Sequence, residues 1–252
     1  MIKMKTKLLV LFTVQVIGLS IFRPDPAREN KSYVFGRHSG TTLHVRVARQ
    51  DKTIISIDRE ASKLSSFTDD KGTDLSVKSK RRWGDHWLGS WPRISDDGHS
   101  CVLEISSPKT PAAGASKLII KADIALACGS DVKTAEQKDF ALTKGSKLTA
   151  GPVPMKVQSV KESSFGDAKM TVELISSKSF DAVKALTFIG ADGKEIKYDS
   201  MGEGKSGIAG KMTYSKAIGL HKKADVVTVK VTYYQKVEKL TVPVNLSVGV
   251  GL

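Results

Sequence analysis

Residues Lys78 to Trp91 read Lys-Ser-Lys-Arg-Arg-Trp-Gly-Asp-His-Trp-Leu-Gly-Ser-Trp, and no other stretch of the chain concentrates as much chemistry. All three tryptophans, Trp83, Trp87 and Trp91, fall in this run, and four cations, Lys78, Lys80, Arg81 and Arg82, stand directly before them. Indole faces stack on sugars or bases, and the cations can hold phosphate or carboxylate groups. A basic, tryptophan-bearing loop also suits a membrane interface. The competing use is packing, because an indole at every fourth position can close one end of a core. These seven residues are the expected binding site. The expected partner is an anionic glycan, an envelope component or another surface protein, with the membrane surface as a further candidate. Nucleic acid ranks below these.

Other groups are weaker candidates. Asp85, His86, Asp96 and Asp97 could supply paired carboxylates for acid–base work on a glycosidic bond. That pattern defines the alternative reading, an exported enzyme acting on cell-wall or extracellular glycan. No Gly-x-Ser-x-Gly elbow is present. His38, His44, His86, His99 and His221 include no pair with zinc-helix spacing. Asp69-Asp70 with Asp74, and Asp96-Asp97, lack calcium-loop spacing and read as hairpin turns. Gly204-Lys205-Ser206 ends like a phosphate-binding loop, but position 199 is Asp where that loop needs Gly, and no helical pattern follows. A flexible hairpin turn explains those glycines. The expectation is therefore no catalytic residue, no metal, no cofactor and no nucleotide.

The formal charge of +14 favours anionic partners and colloidal solubility alike. Lys3, Lys5 and Lys7 precede an apolar run from Leu8 to Phe22, and Pro24 and Pro26 follow it. The run is too short for a comfortable membrane span and reads as a signal peptide over 1–22. Cleavage after Gly18 or Ser20 would leave small residues at the site. The protein is thus expected to be exported, to a periplasm, a cell surface or the medium. Cys101 and Cys128 would meet oxidising conditions there, and a bridge closing that loop is expected, worth about 3 kcal/mol.

Positioning these groups falls to strands. From Leu240 to Leu252 every second residue is apolar, the period of a half-buried strand, and Pro243 marks an edge or a bulge. Val227, Val229, Val231 and Tyr233 alternate in the same way, with Gln235 to Lys239 as a polar connection. Further runs at 42–47, 53–57, 102–105, 118–126, 155–160, 170–175 and 184–189 alternate with turn clusters, and no helical stripe occurs. Phe67-Thr-Asp-Asp-Lys-Gly72-Thr-Asp-Leu75 also overlays Phe188-Ile-Gly-Ala-Asp-Gly193-Lys-Glu-Ile196 without a gap. The second copy has Gly202 to Gly210 where the first has its tryptophans, so the shared fold does not need them. The chain is expected to be all-β, with sandwich domains at 30–150 and 151–252 joined near Gly151-Pro-Val-Pro154. This layout resembles the tandem immunoglobulin-like domains of bacterial exported proteins, a resemblance of architecture that carries no functional residues.

Overall fold

The computed structural model of the chain describes residues 12–23, 40–76, 86–89, 92–163, 165–208 and 211–250. Among these residues there is no α-helix, and the strands form three sheets. The chain divides into two compact units, Met1–Cys128 with Glu238–Leu252, and Gly129–Val237.

The first unit contains β1 (Thr13–Phe22), β2 (Gly40–Ala48), β3 (Thr53–Asp69), β4 (Arg93–Ile94) and β5 (Ser100–Ser107). It also holds the first part of β6 (Lys117–Ala141) and the last part of β14 (Val226–Gly249). One sheet runs β1-β2-β5-β4, with every pair antiparallel. The other runs β3-β6-β14. Leu43, Val45 and Val47 from β2 and Leu118, Ile120 and Ile124 from β6 meet in one core, the outcome that period-two alternation dictates.

The second unit contains β7 (Lys147–Leu148), β8 (Met155–Glu162), β9 (Met170–Ser176), β10 (Val183–Ile189), β11 (Glu195–Ile196), β12 (Tyr198–Ile208) and β13 (Lys211–Leu220). Its sheets run β12-β13-β9-β8-β7 and, with the remaining parts of the long strands, β11-β10-β14-β6. Met170, Val172 and Leu174 face Leu186, Phe188, Val227, Val229 and Val231 across its core.

The Phe67 and Phe188 echo has a structural counterpart. Both rings are fully buried, each in its own unit. Leu75 lies opposite Phe67 through a 2.7 Å hydrogen bond from its N–H, and Ile196 pairs with Phe188. Gly72 (φ 85°) and Gly193 (φ 74°) turn the chain in the left-handed region that favours glycine.

The compact units divide the chain at places other than Gly151–Pro154. The chain leaves the first unit after Cys128, inside β6, and returns at Glu238, inside β14. Gly151–Pro154 forms a turn within the second unit, whose core includes Val153. The expected disulfide is not formed: Cys101 and Cys128 are free, buried thiols packed as apolar residues in the first core. The glycines at 204 and 207 do not make the turn either. They lie inside β12, where Gly204 pairs with Ser215 and Gly207 with Met212.

The apolar run assigned to an export signal contributes a strand to the folded unit. β1 pairs antiparallel with β2 from Thr13↔Ala48 to Phe22↔Gly40, with a bulge between Val16 and Gly18. Thr13, Gln15 and Ser20, the polar interruptions of the run, point outward, while Val14, Val16, Leu19 and Ile21 pack on the core. Residues 1–11 lie outside the described residues. Cleavage after Gly18 or Ser20 would remove most of this strand, so a cleaved signal and β1 are competing uses of the same residues.

Candidate functional site

Of the seven expected binding residues, the described structure contains Trp87. Lys78, Lys80, Arg81, Arg82, Trp83 and Trp91 lie outside it, as does Asp85. Residues 86–89 are laid along β5. The Trp87 carbonyl accepts from the Ser106 N–H at 2.8 Å, Gly89 N–H donates to the Glu104 carbonyl at 2.7 Å, and Leu88 bridges Ile105. Arg59 of β3 donates to the Leu88 carbonyl at 3.0 Å. Leu88 is buried in the core, so it acts as the anchor of the segment. Gly89 is required by close approach, since a Cβ there would sit 2.9 Å from the Glu104 Cβ. Trp87 packs partly on the core and stacks against His86 at a centroid distance of 5.6 Å. The packing reading thus holds for part of this indole, which is half-buried.

The acidic turns are built for structure. Asp69 is buried, and burial alone would raise its pKa. Three backbone N–H groups outweigh that and hold it below the usual carboxylate range. One oxygen accepts from Lys71 (2.9 Å) and Thr73 (2.8 Å), the other from Ala112 (2.7 Å). Asp70 accepts from the Ser116 hydroxyl and N–H, and Asp74 from those of Ser76. Asp97 is held in its own turn by the Ser95 hydroxyl at 2.6 Å and the His99 N–H at 2.9 Å, which depress its pKa. Among the described residues no group of three His, Cys, Asp or Glu side chains is placed to hold a metal ion.

Asp69→Asn tests this assignment. An amide keeps one acceptor oxygen and turns an NH2 toward a backbone donor it cannot satisfy. We expect a loss of about 2 kcal/mol in chemical denaturation at pH 7. The depressed pKa places this contribution above the unfolded carboxyl value of about 3.9, and it fades as pH falls through the folded value. The wild-type advantage over the variant should therefore shrink in acid.

Sequence reasoning missed one cluster. Arg49, at the end of β2, is only 1 % exposed. Its guanidinium makes a bidentate pair with Asp51 (2.5 and 2.9 Å), its Nη1 lies 3.6 Å from Glu238, and the Phe12 ring lies 4.9 Å away. Nη1 has no hydrogen-bond partner, and Lys52 also pairs with Glu238. The Asp51 bond raises the Arg49 pKa against the opposing effect of burial, and the same bond lowers that of Asp51. Burial pushes the Cys128 thiol up against the pull of the neighbouring Arg49, and it pushes Cys101 up to about 12. Both thiols stay protonated near neutrality and are poor nucleophiles. The only signal in the sequence was an arginine closing an alternating apolar strand.

Comparison with family models, with curated proteins and with solved structures finds no match to this chain, so the functional reading rests on its own residues.

Proposed function

We propose that the protein is an exported, non-enzymatic binding or structural protein of the cell envelope or surface. It meets an anionic glycan partner through the basic, tryptophan-bearing stretch 78–91. The observation that carries this reading is the anchoring of residues 86–89. The Leu88 side chain, two backbone hydrogen bonds to β5 and one from the Arg59 side chain fix Trp87 on the first unit, half-buried, five residues after the last of the four cations in sequence. An indole held this way loses little freedom on binding.

The scaffold is two immunoglobulin-like sandwiches. Such domains order their strands A-B-E-D in one sheet and C-F-G in the other. The first unit follows this with β1-β2-β5-β4 and β3-β6-β14, and the second with β8-β9-β13-β12 and β10-β14-β6. The export reading is drawn from the basic start and apolar run of residues 1–22, taken as a segment retained after export, since its cleavage would remove the A strand β1. The rival reading, glycan hydrolysis, would need free carboxylates, and Asp97 is held by its own turn. Turnover of labelled glycan, lost in Asp97→Asn, would promote it.

The test uses heparin as the anionic probe and neutral dextran as the control, with the full chain. Arg81→Ala, Arg82→Ala and Trp83→Ala together should weaken heparin binding by about tenfold or more, because one stacked ring is worth about 1–3 kcal/mol. The thermal midpoint should hold. Trp87→Ala should lower both the midpoint and binding, because that ring also packs. Unchanged heparin affinity in the triple variant would overturn the proposal. A steep fall with salt, indifferent to Trp83, would assign binding to charge alone.

A further inference from the structure

The strand correspondence has an irregularity at its last position. In the first unit the G strand is the end of β14, residues 238–249, which follows the entire second unit in the chain. In the second unit the G strand is the end of β6, residues 129–141, which precedes that unit's A strand. Each F strand is therefore bordered by a G strand that belongs, in sequence order, to the other repeat.

We propose that the first unit is a strand-acceptor site whose ligand is the segment Leu240–Val250 of the second repeat, and that the second unit reciprocally takes residues 129–141. The chain is then a duplicated domain with exchanged last strands. This inference rests on the two units being copies of one fold.

Residue pattern shows why the exchange is built in. The F strands overlay with Leu118, Ile120 and Ala122 on Val227, Val229 and Val231, all buried. Continuing that overlay sets residues 129–141 against 238–250. Leu240, Val242, Val244, Leu246, Val248 and Val250 all contribute to the first core. Their counterparts are Asp131, Lys133, Ala135, Gln137, Asp139 and Ala141. Closing the first unit with its own continuation would place two carboxylates, an ammonium and an amide where six aliphatic side chains now pack, a prohibitive desolvation cost. Within the second unit the polar segment is suited to its place. Asp131 pairs with Lys236 at 2.7 Å, Glu136 lies 3.7 Å from Lys230, and Thr134 meets Thr232 at 3.3 Å. The pattern thus matches each acceptor to the other repeat's strand.

The experiment cuts the full chain between its repeats. A protease recognition sequence is inserted between Lys144 and Gly145, in an exposed turn. After native cleavage, exchange predicts that the two fragments co-elute as one particle and part only in denaturant. Two separately eluting, folded β fragments would overturn the exchange while leaving the copies reading intact. Thr134→Cys with Thr232→Cys adds a covalent readout. In the cleaved protein, mild oxidation should leave one species on a non-reducing gel, and two species would overturn the proposal. Should the inserted site disturb folding, the uncut double-cysteine chain decides by peptide mapping. A 134–232 bridge supports exchange, and its absence under oxidation rejects it.

Discussion

Asp51→Ala is expected to destabilise the first unit by about 3 kcal/mol, whereas Arg49→Leu should cost about 1 kcal/mol or less, although Arg49 is the buried partner. The reason lies in what each change leaves behind. Asp51 is 44 % exposed, so without Arg49 its carboxylate is simply hydrated. Arg49 has a fully buried side chain and cannot shed its charge, so without Asp51 it is left with Glu238 at 3.6 Å and no bidentate partner. A leucine restores apolar packing at the same place beside Phe12. Chemical denaturation followed by tryptophan fluorescence reads this unit, because Trp83, Trp87 and Trp91 all fall within its sequence. Equal losses in the two variants, or a larger loss for Arg49→Leu, would show that the ion pair contributes net stability. The pH dependence has a definite sign. Asp51 has a depressed pKa in the folded protein, so its contribution is present above about pH 4 and is lost as pH falls through the folded value. Asp51→Ala should therefore flatten the acid limb of the stability profile.

Val244→Asp and Val229→Asp, two changes in one strand, should unfold different units. Both valines are buried, Val244 in the first core and Val229 in the second. A carboxylate at either place has no partner, and the expected loss is about 4 kcal/mol or more. Val244→Asp should shift the tryptophan transition, although residue 244 lies more than a hundred residues from the tryptophans in sequence. Val229→Asp should leave that transition in place and instead disturb the second unit's tyrosines, Tyr198, Tyr214, Tyr233 and Tyr234. Trp fluorescence and tyrosine near-ultraviolet circular dichroism measure the two directly. A tryptophan shift in the 229 variant alone would show that β14 is divided between the units at another place.

Strands were legible in the sequence wherever a core lies on one side of them. Leu240 to Val250 alternates because each second side chain packs on the first core, and Pro243 is tolerated because this part of β14 is bordered by β6 while β10 pairs only further back, up to Tyr233. The Gln235–Lys239 stretch read as a loop because those side chains are mostly exposed, so no core imposes a period on them, yet they continue β14. Residues 130–139 of β6 escaped notice for the same reason. The unit boundaries were hidden because a proline-glycine turn signals a bend and says nothing about which core the flanking strands enter. β1 reads in two ways, since a strand of four inward apolar side chains and a leader core share a composition. The Trp segment was legible as an unusual composition. Its anchor, Leu88 on β5, was not, because a single leucine carries no period.

The return of the chain to the first unit also sets an order of completion during synthesis. The second unit has all its strands once Val237 has emerged, although its sequence begins after the first unit's. The first unit must wait for residues up to Val250, with one side of β6 unpaired and its core uncovered in the meantime. A ribosome adding roughly 5–20 residues per second needs several seconds or more to cover the intervening stretch. Through that interval the leading half of the protein cannot close, and a chain that stays open while its front end travels is one that can be threaded through a membrane pore before it folds.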